Sequence, residues 1–172
     1  MRQNKIILTD VEPGLSPDSE ELSNVIVYRI GLMPRKTGST EKINQILIQL
    51  YERMKTSTRE KNPAQAVMTV EEMAILAGIT RQTMYDYLKR WLNLNFIIKT
   101  SYIDQNSKVV IGYKLNGNTL ETAFEKARQR INNNLDFTAK YLTELQRVIK
   151  NEKISMAQKR APEAESSDSK ED

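Results

Sequence analysis

The stretch TVEEMAILAGITRQTMYDYLKRWL, Thr69 to Leu92, carries the clearest structural signal in the chain. Its apolar residues recur at helical spacing on both sides of a single glycine, which predicts two short helices joined by a tight turn at Gly78. Ala74 is the small residue where the helices cross, and Ile79, Met84, Tyr87 and Leu88 pack the second helix onto the first. Thr69, with Glu72 three residues on, is a capping box that marks the start of the first helix, and Thr80 caps the second. Tyr85 and Tyr87 fall on different sides of the second helix, so at most one of them belongs to the core. Trp91 is expected to be core, sealing the module from beneath.

Upstream, Ile43, Ile46, Leu47, Leu50, Tyr51 and Met54 recur at helical spacing, with Ser39 or Thr40 as N-cap. The polar segment from Thr56 to Gln65, with Pro63 inside it, ends that helix. Downstream, Phe96 to Ile103, a turn at Asp104 to Ser107, and Lys108 to Leu115 predict a two-stranded hairpin. Three helices followed by a hairpin describe a winged helix over residues 40–116. Lys99, Lys108 and Lys114 place positive charge on the hairpin, which suits a phosphate backbone and equally suits solubility.

From Asn118 to about Lys153 the chain is one helical pattern without proline or glycine, opened by Asn116 or Asn118 and spanning roughly 50 Å. Its stripe of Leu120, Phe124, Ala127, Ile131, Leu135, Thr138, Leu142, Leu145 and Ile149 alternates steps of four and three, with an extra step of four at Ile131 that resembles a stutter. Residues 117–154 therefore read as a dimerising helix, a homodimer forming through residues 118–150. The alternative is a helix that folds back and buries its stripe in cis. Asn132, Asn133 and Asn134 weaken helix propensity at the middle of the pattern and mark a place where it could break. Residues 1–39 read as an N-terminal arm in which KIIL and NVIVYRIGLM are short strands on either side of the turn-rich EPGLSPDSEE. Residues 155–172, rich in charge, proline and serine, read as a disordered acidic tail. The fold class expected is mainly α with a small β hairpin, α+β.

A chain of 172 residues suits one domain of ordinary size plus an extended element. Its net charge of +4 is unevenly spread: Arg160 to Asp172 carry a net −3, leaving +7 for residues 1–159. A basic body fits a polyanion. There is no cysteine and no histidine, which removes thiolate nucleophiles, disulfides, Cys/His zinc sites and the usual neutral-pH general base. GLMPRKTGST has neither the spacing nor the lysine position of a phosphate-binding loop. Only Glu71 and Glu72 stand together as carboxylates in the helical module, in the opening turn of a helix where the dipole favours them. No catalytic constellation assembles, so neither an enzyme nor a cofactor or metal is expected. MRQNKIILTD lacks a signal-peptide core, and no apolar run approaches the roughly 20 residues that span a bilayer. The expectation is a cytoplasmic, nucleoid-associated protein with no membrane partner.

In a helix-turn-helix, residues at the start of the second helix that face away from the packing approach base edges, and those farther along meet phosphates. The outward set here is Thr80, Arg81, Gln82, Thr83, Tyr85, Asp86 and Lys89, with Arg90 near the end. Arg81 can bind guanine O6 and N7, and Gln82 adenine N6 and N7, each pair worth about 1–3 kcal/mol of discrimination. Thr83 or Tyr85 could reach a phosphate or a thymine methyl. Thr69 on the preceding helix, with Lys99 and Lys108 on the hairpin, completes the DNA-binding candidates. Arg81 and Gln82 are also ordinary first-turn surface residues, and Asp86 could pair with Arg90 at i, i+4.

ILAGITRQTMYDYLKRW, residues 75–91, is similar to the Ala-Gly-Val-Ser-Arg-Gln-Thr-Val-Tyr-type segment of winged-helix transcriptional regulators of bacteria and archaea. With Ile43 to Leu115 as the complete module, the likeness covers about 70 residues. The resemblance implies a homodimer that binds double-stranded DNA, reads two half-sites with Thr80 to Tyr85, and regulates transcription. The transcription machinery is then a further partner. Related modules serve as interaction factors on a ribosome, polymerase or replication complex, or as replication or partition initiators, and those are the alternatives.

Overall fold

The computed structural model describes residues 4–33 and 42–165, with side chains as far as residue 161. In chain order its elements are α1 (Ser19–Arg29), α2 (Ile43–Glu60), a 3-10 turn (Pro63–Ala66), α3 (Val70–Ala77), α4 (Arg81–Asn93), β1 (Ile97–Ile103), β2 (Val109–Leu115) and α5 (Leu120–Glu165). The described residues are mainly helical, with one antiparallel two-stranded hairpin and a long C-terminal helix. It divides into two units, one up to Ile131 and one from Asn132.

In the first unit, α2, α3 and α4 bury most of the residues that the spacing selects: Ile43, Ile46, Leu47, Leu50 and Met54 of α2, Ala74 of α3, and Met84, Tyr87, Leu88 and Trp91 of α4 are buried, whereas Tyr51 and Ile79 are half-buried and Met73 and Ala77 join the core unforeseen. Gly78 closes α3 in the left-handed conformation at φ 70°, where a side chain would be strained, and the Ile79 N–H turns back to the Ala74 carbonyl at 3.0 Å. The capping box at Thr69 and Glu72 is formed on both sides. Glu72 also pairs with Arg53 of α2 at 2.8 Å, and Arg53 donates to the Val67 carbonyl at 2.7 Å, so one guanidinium joins α2 to the start of α3. Trp91 meets Phe96 edge to face at 5.9 Å, its ring buried as expected.

The hairpin pairs Ile97 with Leu115 through to Ile103 with Val109. A single residue adds to its outer edge: Met68, just before α3, exchanges both backbone hydrogen bonds with Tyr113 at 2.8 Å. Gly112 makes this approach possible, because a Cβ there would stand 2.5 Å from Val67 Cγ1 and 2.6 Å from the Met68 carbonyl oxygen. The hairpin is thereby fastened to the segment that leads into α3.

The N-terminal segment differs from the expected strands. NVIVYRIGLM is mostly helix α1, and KIIL is extended chain without a strand partner among the described residues. The β-branched Val25, Ile26 and Val27 suggest a strand, but tertiary burial overrides that propensity. Ser23, Val27 and Ile30 lie at helical spacing and are buried. Asp18 caps the helix by accepting the Glu21 N–H at 2.8 Å, and Ser23 hydrogen-bonds buried Asn44 of α2 at 3.1 Å.

Helix ends also move. α2 runs on through Thr56 to Glu60 and stops where Lys61 takes a left-handed φ of 52°, because buried Ser57 continues its packed face. Lys42 occupies its N-cap position with no side-chain cap, and the proposed caps Ser39 and Thr40 lie outside the described residues. α5 is capped by Thr119, whose hydroxyl accepts the Thr122 N–H at 3.2 Å, rather than by Asn116 or Asn118; the Asn116 amide instead donates to the Asn95 carbonyl. Its opening turns pack in cis: Ala123 and Ala127 are fully buried, Leu120 and Ile131 partly so, and Arg130 reaches the Asn93 carbonyl at 3.3 Å.

The second unit is the remainder of α5, its described side chains exposed. Asn132, Asn133 and Asn134 do not interrupt the helix. Residues 155–165, expected to be disordered, are helical as far as Glu165; the good helix formers from Met156 to Ala161 continue a nucleated helix at little cost. Residues 166–172 of the expected acidic tail lie outside the described residues.

Candidate nucleic-acid interface

The candidate residues gather on α4 because its buried stripe, Met84, Tyr87, Leu88 and Trp91, leaves the opposite stripe to solvent. Gln82, Asp86, Lys89 and Asn93, at steps of four, three and four, follow one line along that outward side. Gln82 and Lys89 are exposed, and Lys89 pairs with Asp86 at 3.2 Å, the partner that Asp86 takes in place of Arg90. Arg81 flanks the line. It donates to the Tyr85 hydroxyl at 3.3 Å, lies 5.7 Å from the Tyr85 ring centre and pairs with Glu71 of α3 at 3.1 Å. The bond to Tyr85 and then the Glu71 charge hold its guanidinium above the ordinary arginine value.

Thr80 is the N-cap of α4, accepting the Thr83 N–H at 3.2 Å, and the two threonine hydroxyls are 2.9 Å apart. Tyr85 is half-buried and packed against the core, while Tyr87 is buried, so only Tyr87 is fully core. Burial first, and then the charge of Tyr85, push the Tyr113 hydroxyl of β2 above its usual value.

Two candidates are held elsewhere. Thr69 is half-buried, and its hydroxyl serves the capping box. Arg90 donates to the Met33 carbonyl at 2.5 Å and stacks 5.5 Å over Tyr87, which fastens the chain after α1 to α4. Lys99 is exposed on the hairpin face that continues from Ile97 and Leu115, and Lys108 is exposed beside the turn, its N–H bonded to Asp104 at 2.9 Å. The same face carries Ile103, Val109 and Ile111 at 71, 67 and 55 % exposure, an apolar tip between the lysines that the sequence reading missed. Alternation along β1 and β2 could have indicated it.

Among the described residues, no group of three or more acidic, histidine or cysteine side chains is placed to hold a metal ion. No described helix is long and apolar enough to cross a membrane. Compared with protein-family models, with curated proteins and with solved structures, the chain matches none.

Proposed function

We propose that the chain is a winged-helix, sequence-specific double-stranded DNA-binding regulator of transcription that acts as a homodimer. The observation that carries this reading is the exposed N-terminal half of α4, where Arg81 and Gln82 stand on a capped, rigidly packed helix reached through the Gly78 turn. The Met68–Tyr113 pairing supports the winged-helix part, since it couples the hairpin to the same helix pair. Arg81 is engaged with Glu71, but the pair is more than half exposed. Solvent screens such an exposed pair, so it is worth less than a bidentate guanine contact and exchange of partners is favourable. The homodimer is supported by Leu135, Leu142, Leu145 and Ile149, exposed at coiled-coil spacing.

The test is a genome-wide map of bound DNA followed by affinity measurement on the sites recovered. Arg81→Ala should weaken such a site more than random duplex, whereas Lys108→Ala should weaken both alike. Loss of neither would remove the proposal. The exposed apolar tip of Ile103, Val109 and Ile111 favours a second reading, a winged-helix interaction module on a polymerase, ribosome or replication complex. That reading predicts co-purification with a large assembly and no salt-sensitive binding to duplex DNA.

A further inference from the structure

The N-terminal segment is fastened alongside α4. Its Thr9 N–H donates to the Arg29 carbonyl at 3.1 Å, and Arg29 donates to the Val11 carbonyl at 2.5 Å. Ile6 packs on the core, and the Ile7 carbonyl passes over Gly31, where φ is 70° and a Cβ would stand 2.5 Å from that oxygen. With Met33 held by Arg90, the segment forms one wall of a groove of about 890 Å³ whose other wall is α4. Asn4 and Lys5 face Asp86, Lys89 and Asn93 across it. These three helix residues continue the outward line that begins at Gln82.

Arg90 holds Met33 in the chain after α1, and Asn4 and Lys5 line the groove beside the exposed stripe of α4. Among its described lining residues the groove carries the cations Lys5, Lys89 and Arg90 and the anion Asp86, with amides at Asn4 and Asn93.

We propose that this N-terminal segment is a second wall of the DNA interface, Lys5 and Lys89 with the Asn4 and Asn93 amides receiving the phosphodiester backbone of one strand along the groove. The inference rests on the DNA-binding reading and extends it: the N-terminal segment would hold the backbone of one strand beside α4 while the start of that helix reads bases. Phosphate contacts of this kind position the duplex without reading sequence.

The experiment titrates salt from 50 to 200 mM with the full chain, a duplex recovered from the genome-wide map, and a random duplex. Lys5→Ala should lower the slope of log affinity against log salt by about 0.9, so the affinity ratio across that range shrinks about 3.5-fold, equally for both duplexes. Lys5→Arg should restore it. Lys5 is exposed, and an unchanged Trp91 fluorescence melt would establish that the variants fold. If Lys5→Ala and Lys5→Glu keep the wild-type slope while Arg81→Ala still loses the recovered site, the second wall is overturned and the base-reading proposal stands. If the wild type binds no duplex, or binds polyglutamate in its place, both are overturned.

Discussion

Gly112→Ala is expected to destabilise the protein although helix and strand propensities point the other way. Replacing a strand glycine by alanine ordinarily gains about 0.5–1 kcal/mol from reduced chain entropy. At Gly112 the added Cβ would meet Val67 Cγ1 at 2.5 Å and the Met68 carbonyl oxygen at 2.6 Å. Neither neighbour can yield freely, because Met68 exchanges two 2.8 Å backbone hydrogen bonds with Tyr113, the residue next to the substitution. Overpacking by one methyl costs about 1–3 kcal/mol, and loosening two backbone hydrogen bonds costs up to about 1 kcal/mol each. Set against the propensity gain, the net loss is about 2 kcal/mol, or a Tm lowered by roughly 7 °C for a unit of this size. Trp91, the single tryptophan and 1 % exposed, reports the melt by fluorescence. Val67→Ala combined with Gly112→Ala should recover part of the loss, giving a coupling of opposite sign to the single effects. A Gly112→Ala protein as stable as the wild type, or more so, would refute the argument that close backbone approach ties the hairpin to the start of α3.

Gly78→Ala should cost about 1–2 kcal/mol from left-handed backbone strain alone, since no atom lies within 4 Å of the added Cβ, and Gly78→Asn should cost less; equal melts for all three would contradict this. Partial burial raises the Glu72 carboxyl, but the Arg53 guanidinium and Thr69 together outweigh it, and the net pKa lies below the ordinary 4.5. A lowered folded pKa means that its contribution is complete above 4.5 and is lost as pH falls through the folded value, so wild type should lose stability below that point faster than Glu72→Gln in acid denaturation. Because Glu72 is 43 % exposed, solvent screening keeps the difference to on the order of 1 kcal/mol, and parallel acid profiles would exclude the linkage. Leu142, 58 % exposed, should tolerate Leu142→Lys in the monomer; by sedimentation equilibrium the wild type should have the mass of two chains and the variant of one, and a monomeric wild type would remove the dimer.

The helical module was legible wherever local chemistry and burial agree. Thr69, Glu72, Gly78 and Thr80 state helix ends through their own side chains or lack of one, and the apolar spacing of α2 and α4 states which faces pack. The hairpin followed from its two β-rich runs on either side of Asp104 to Ser107. α1 is hidden in the sequence because Val25, Ile26 and Val27 favour a strand and outweigh the cap signal of Asp18 with Glu21 three residues on. At the candidate interface, Arg81 and Gln82 are identifiable as outward residues, but their relation to Glu71, and the removal of Arg90 to Met33, depend on residues ten or more positions away.

Elements whose ends and faces are written within a turn or two of chain can be read directly from it: the three helices, the turn at Gly78, the hairpin and a long terminal helix. The remainder depends on packing. Only packing could show that Met68 adds to the hairpin, that Gly112 is small because Val67 and Met68 press on it, and that the chain before α1 lies along α4 over Gly31. The physical reason is range. Caps and periodicity act between neighbours in the chain, whereas these contacts join residues more than 20 positions apart, and no local pattern records which distant surface a segment will bury against.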